Sequence, residues 1–430
     1  MKAWHHLPDL YFLHIPKTAG TSVRAWAEGL FPADAILPAH HLKQLDELPD
    51  EAIRRARFAS GHFGWSYVDR ANAAGKTPEV FTFLREMVSL RMSMLGYAKQ
   101  LPNSAFDHVS DVVAGSMKDV LAAAEDVRMI EFVTSENINI EAQLARDPAH
   151  SRRVNLFLLY LAGAGNQSDT PVEATPATFA VATERLENML AAGVVEDMAG
   201  SFAILCDRLG LPYLPLGATL NKSEKKLKPS AAYSELVRRR NPYSVQLHKQ
   251  AIDLVAERKA DLLTSYGVNR VDDLAIPMRA AFLTTDRGVE RVREADITMA
   301  DGLVTEGFAP RFFFDEYKRW LRWAGREATL YLPLDRSADR AIRFEVATTM
   351  SDTIRDGLTL SVDGQDIPLT RTYEQWPDGW HLICEATIPA GDAGLQYTAL
   401  DFEAPEDVAT EHPDSMGVRA AWALADVMVG

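Results

Sequence analysis

The chain has 430 residues, 47% of them hydrophobic, and its 45 Lys+Arg against 60 Asp+Glu give a net charge of −15, the make-up of a globular protein with room for two cores. The acidity is concentrated in residues 271–430, where 15 basic face 29 acidic side chains, which argues against that third gripping nucleic acid. Two distant cysteines, Cys206 and Cys384, argue against a disulfide framework or a cysteine metal site, and no run approaches the ~20 apolar residues of a membrane-spanning helix.

Met1–Pro8 lacks the pattern of a secretory leader, so a cytoplasmic protein without a membrane span is expected. Leu10–Ile15 reads as a strand, followed by a small-residue turn and a helix over Ser22–Leu30. Arg57–Ser60 reads as a short strand ending at Gly61-His62. Val80–Leu84 reads as another, followed by a helical pattern through Lys99. Phe179–Ala182 is expected as a strand and Glu187–Leu209 as a helix capped by Gly210, while Ser234–Ser265 is helical with a break at Asn241-Pro242. Strands alternating with helices predict an α/β fold, a parallel sheet flanked by helices over residues 1–266. Residues 267–302 are charged and weakly patterned, and are expected to connect. Short runs at Ala328–Leu334, Ala341–Thr348, Leu358–Val362, His381–Ile388 and Gln396–Glu403, with a turn at Asp363-Gly364, predict a smaller β-sandwich over 303–430.

The segment that carries chemistry is Pro16-Lys17-Thr18-Ala19-Gly20-Thr21-Ser22, set between a strand and a helix. Small residues let backbone N–H groups close around a phosphate at a helix N-terminus, Lys17 adds a cation, and Thr21 and Ser22 add hydroxyl donors. A Walker A loop carries its lysine after a glycine at the loop's end, and this loop opens with it. The segment resembles the 5′-phosphosulfate loop of sulfotransferases that use 3′-phosphoadenosine-5′-phosphosulfate (PAPS), especially the carbohydrate branch typified by heparan sulfate 2-O-sulfotransferase. Arg85, at a strand end, and Ser93, eight residues on, resemble that family's 3′-phosphate segment, although Met87 and Leu90 stand where it usually has Pro and Arg. Residues 179–187 and 241–248 resemble two later segments, with Ser244 and His248 as departures. The resemblance implies a P-loop-like fold, PAPS as co-substrate, no metal, and a glycan or glycolipid hydroxyl as acceptor.

Sulfuryl transfer requires a base for the acceptor hydroxyl and a cation beside the bridging oxygen. Lys17 is the expected cation. His62, following a strand of the same sheet, is the expected base, and a Gly-His at this place in the order carries the base in the resembling enzymes. Glu28 is the second candidate, and His40, His41 and Glu86 are further ones. Lys222 is a candidate donor-site residue in a late loop, and Arg54, Arg55, Arg57, Arg152 and Arg153 form basic clusters that either meet an acidic glycan or are solvated. Trp320, Trp323, Trp376 and Trp380 either stack on sugars or build the sandwich core, with the core favoured. Gly307–Pro310 and Trp323–Leu334 are similar to accessory domains of bacterial glycan-modifying enzymes. Two other readings stay open: a P-loop-type kinase, which needs a magnesium-binding aspartate at a strand end, and a non-catalytic nucleotide- or glycan-binding protein.

Overall fold

A computed structural model describes residues 2–98, 155–165, 172–214, 229, 231–315, 318–376, 379–391, 394–406 and 420–430. Lys222, Arg152 and Arg153 lie outside them, as do the side chains of Trp376 and Trp380.

The first half is built on four parallel strands, β1 (Leu10–Leu13), β2 (Phe58–Gly61), β3 (Glu79–Leu84) and β4 (Ala191–Val194), in the order β2-β1-β3-β4. β1 is buried along its whole length because it has a strand on each side and cover on each face, which is why it reads as an unbroken apolar run. Leu13 pairs with Gly61 on one side and Thr82 on the other, and Phe81 pairs with Ala191. The carboxyl ends of all four strands therefore share one edge. Helix α1 (Gly20–Gly29) leaves the turn after β1, and a helix at Met87–Ala98 follows β3.

Two expected elements exchange character. Phe179–Ala182 lies inside the helix Pro176–Asn188, and the true strand is β4, at the start of the expected helix. Thr175 caps that helix through the Thr178 N–H, Pro176 opens it, and Ala182 and Leu186 form its buried stripe. β4 is Ala-Ala-Gly-Val, too small for a strand signal, and its glycine is required by packing: a Cβ on Gly193 would lie 2.6 Å from the Phe83 ring. The next helix, Met198–Arg208, starts at Asp197, and Gly210 follows it at φ +64°. Helices Ala231–Arg240 and Pro242–Ser265 meet at the expected break.

The segment 267–302 holds regular structure. A helix at Ala275–Thr284 stacks Phe282 on Tyr397 at 4.3 Å, and strand β5 (Ala295–Thr298) pairs with the final strand. Beyond it come β6 (Val304–Phe308), β7 (Phe312–Phe314), β8 (Arg319–Leu332), β9 (Arg340–Thr349), β10 (Thr359–Val362) and β11 (Gln365–Ile367). β12 (Thr370–Trp376), β13 (Gly379–Ile388), β14 (Thr398–Glu403) and β15 (Trp422–Val429) complete the set. In place of two separate sheets, these strands form one large curled antiparallel sheet. Its path is β11-β10-β14-β8-β15-β9-β13-β12. The 14-residue β8 makes this possible: Glu327–Leu332 pair with β14, and Arg322–Ala324 pair with β15. The curl brings Phe344 of β9 against Phe402 of β14 at 5.2 Å, so the two flanks pack like a sandwich over Leu330, Leu400, Leu424 and Trp422. Asp363 (φ +55°) and Gly364 (φ +75°) form the two-residue hairpin between β10 and β11. Trp323 is buried, as a core role requires. No helix among the described residues is long and apolar enough to cross a membrane.

Candidate functional site

Four chain segments leave the shared strand edge, and each delivers a polar side chain. β1 leads through His14 and Ile15 into the turn Pro16–Ala19 and then α1. In this turn Lys17 (φ +67°) and Ala19 (φ +64°) are both left-handed, a conformation costing roughly 1 kcal/mol or more per non-glycine residue. Thr18 is buried and its hydroxyl donates to the Ile15 carbonyl at 2.8 Å, holding the turn closed. The N-cap position of α1 is Ala19, which has no side-chain hydrogen bond to offer the helix start. Thr21 and Ser22 stand in its first turn, Ser22 buried. A Cβ on Gly20 would lie 1.7 Å from His14 Nε2, so any larger residue there displaces the imidazole.

Arg85 follows β3 directly and donates to the Lys17 carbonyl at 3.2 Å. The sequence-predicted loop and the sequence-predicted phosphate arginine therefore touch. Burial and the neighbouring Arg85 charge both lower the Lys17 ammonium pKa, so two cations crowd one spot. Behind Arg85 lies Glu196, just after β4. Burial works against its ionisation, but hydrogen bonds from His248 (3.0 Å) and from the Glu86 N–H (2.8 Å) hold its carboxyl below the ordinary range. His248, a departure from the resembling pattern, thus supports the carboxylate beside Arg85. Ser93 is part-buried, two turns along the helix after Arg85.

His62 follows β2. Its backbone N–H donates to the His40 carbonyl at 2.9 Å, and its ring Nδ1 lies 2.9 Å from the His14 carbonyl. A carbonyl only accepts, so Nδ1 carries the proton and Nε2 keeps its lone pair. Burial pushes its pKa down to about 4, partly offset by that hydrogen bond and reinforced by His41, His40 and Arg24. The ring stands 4.6 Å from His14, 5.8 Å from His41 and 6.4 Å from Tyr160. Residues 163–165 reach this corner because Gly64 (φ +57°) presents no side chain; a Cβ would strike the Gly163 carbonyl at 2.2 Å.

Three of the other candidate bases have polar partners of their own. Glu28 pairs with Arg24 at 3.2 Å in the last turn of α1. Glu86 accepts the Ser89 N–H on one oxygen and Arg238 on the other. His40 Nδ1 lies between Arg24, at 3.3 Å, and the Ser60 carbonyl, at 3.5 Å. In the basic cluster, Arg57 is tied to Asp9 and the Leu7 carbonyl, and Arg54 to Glu51. Sequence reasoning left His14, Tyr160 and Glu196 without a role. His14 was visible as a polar residue at the end of an apolar strand, while Tyr160 and Glu196 join the site only through the fold. Among the described residues no group of three or more His, Cys, Asp or Glu is placed to hold a metal ion.

No family model matches the chain, and no curated protein matches it. Among solved structures it is similar to a family GH115 4-O-methyl-α-glucuronidase with specificity for decorated arabinogalactans, at 12% identity and a TM-score of 0.19, over 90% of this chain and 47% of that one. The chain spans about half the length of that structure, and a likeness of this level carries no argument.

Proposed function

We propose that this chain moves a sulfuryl group from PAPS to a hydroxyl of a glycan or glycolipid, on a P-loop-like nucleotide site. The observation that carries the reading is the contact of Arg85 with the Lys17 carbonyl, which sets a guanidinium against a phosphate-type loop at a helix N-terminus. In this reading the N–H groups at the start of α1, with Thr21 and Ser22, bind the 5′-phosphosulfate. Arg85 and Ser93 bind the 3′-phosphate, which ATP lacks. The acceptor oxygen forms a bond to sulfur as the bond from sulfur to the bridging oxygen breaks. The acceptor proton passes to His62 Nε2, and the negative charge left on the 5′-phosphate is offset by Lys17. His62 suits the task because its neutral form, with Nε2 unprotonated, is the form present at neutral pH.

A thermal-shift titration with 3′-phosphoadenosine-5′-phosphate against ATP tests the reading. The expected outcome is stabilisation by the former and little by the latter. Equal stabilisation by ATP, or none by either ligand, sinks it. A transfer assay with labelled PAPS across glycans, glycolipids and small hydroxyl compounds then identifies the acceptor.

A further inference from the structure

His14 is the side chain that touches both halves of the transfer chemistry. Its Nε2 sits where a side chain on Gly20 would otherwise be, beside the first N–H groups of α1, and the other side of its ring lies 4.6 Å from His62. Phe12 stacks on it at 5.2 Å and fixes its plane. The ring is partly exposed, and neither of its nitrogens makes a hydrogen bond among the described residues. A largely enclosed imidazole without a hydrogen-bond partner, placed at the start of α1, has the means to meet a ligand. We propose that His14 is a second substrate-contacting imidazole of the site, donating from Nε2 to an oxygen of the bound phosphosulfate and taking up a proton from solvent as that anion enters.

The charges around His14 explain the coupling. It faces His62 at the end of β2, Arg24 on α1, His40 on the segment that follows, and Lys17 in the loop. Burial first, and then these positive or protonatable neighbours, hold it neutral while the site is empty. An anion entering among them reverses the local field and favours the charged ring.

This inference rests on the PAPS reading, and one experiment separates the two. Calorimetric titration of 3′-phosphoadenosine-5′-phosphate into the full chain, in buffers of different ionisation heat at pH 7, counts the protons taken up. Comparison of wild type with His14→Asn and His62→Asn cancels the ligand's own ionisation. The expected result is an uptake of about one proton by wild type and His62→Asn, absent in His14→Asn, whose Kd rises about tenfold. Wild-type affinity also falls as pH rises from 6 to 8, a measurement that stands if His14→Asn folds poorly. Binding with unchanged uptake in His14→Asn, uptake lost only in His62→Asn, or pH-independent wild-type affinity overturns the inference and leaves the donor reading intact. No binding by wild type overturns both.

Discussion

Because the His14 carbonyl can only accept a hydrogen bond, the neutral His62 ring holds its proton on Nδ1 and leaves the Nε2 lone pair open to accept one. On the proposed sulfotransferase reading, His62→Asn should lower transfer by roughly 10²–10⁴-fold, the usual range for a general base, while 3′-phosphoadenosine-5′-phosphate binding in a thermal-shift assay stays near wild type. The kcat/KM profile of the wild type should fall off on its acid side near pH 4, where the free ring charges. An acid limb at pH 7, or a variant with full activity, assigns the proton to another group. The same residue affects stability. His5 and His62 are both pushed from the ordinary 6.5 to about 4, by burial in each case. Between those values the unfolded chain binds protons that the folded chain excludes, so the stability these two rings contribute is complete above about pH 6.5 and is lost as pH falls toward 4. Urea midpoints at pH 7 and pH 5 should show this loss, and His5→Gln should reduce it. Equal midpoints at the two pH values would mean that these rings titrate normally.

At the scale of the element, the turn and helix after β1 are held by contact more than by propensity. Two non-glycine residues in left-handed backbone and a helix start without a side-chain cap are local costs, tolerated because Thr18, Arg85 and His14 brace the loop from three sides. Gly20→Ala tests the brace. Its Cβ would meet the His14 ring, so overpacking should cost about 1–3 kcal/mol in urea denaturation and, on the proposed reading, weaken binding of 3′-phosphoadenosine-5′-phosphate. Adding His14→Ala should recover part of that stability, and additive losses in the double variant would refute the contact. The exchanged identities of residues 179–182 and 191–194 belong to this scale too. The Thr175-Pro176 start was readable as a helix signal, but the apolar run after it suits either period. β4 is recognisable only from its pairing with β3, since Val194 alone in Ala-Ala-Gly-Val favours a strand.

Across the whole molecule, the acidic third is joined to the first half by a shared core. Val304, Tyr331, Tyr397 and Ala399 pack into the same cluster as β1 and β3, and Arg322 donates to the carbonyl of Gly29 at the end of α1 at 2.8 Å. A chain ending at residue 302 should therefore fail to give a soluble monomer, because it exposes that surface and strips β5 of its partner β15. Tyr397→Ala in the full chain should cost roughly 3–5 kcal/mol, as loss of a buried ring does. A monomeric, cooperatively unfolding 1–302 fragment in size-exclusion and urea experiments would show the halves to be independent. The sequence by itself determined the parallel strands β1–β3, the loop at Pro16–Ser22, the helix break at Asn241-Pro242 and the hairpin at Asp363-Gly364. Those features depend on local hydrophobic period, glycine and proline stereochemistry, and capping, all of which act within a few residues. Only the tertiary structure decided that Arg85 reaches Lys17, which tautomer His62 holds, that His14 fills the space over Gly20, and that the C-terminal strands curl into one sheet. The His14–Gly20 contact depends on how the turn between them closes, and the others on groups far apart in the chain, brought together by parallel register at one strand edge or by a single strand long enough to serve both flanks.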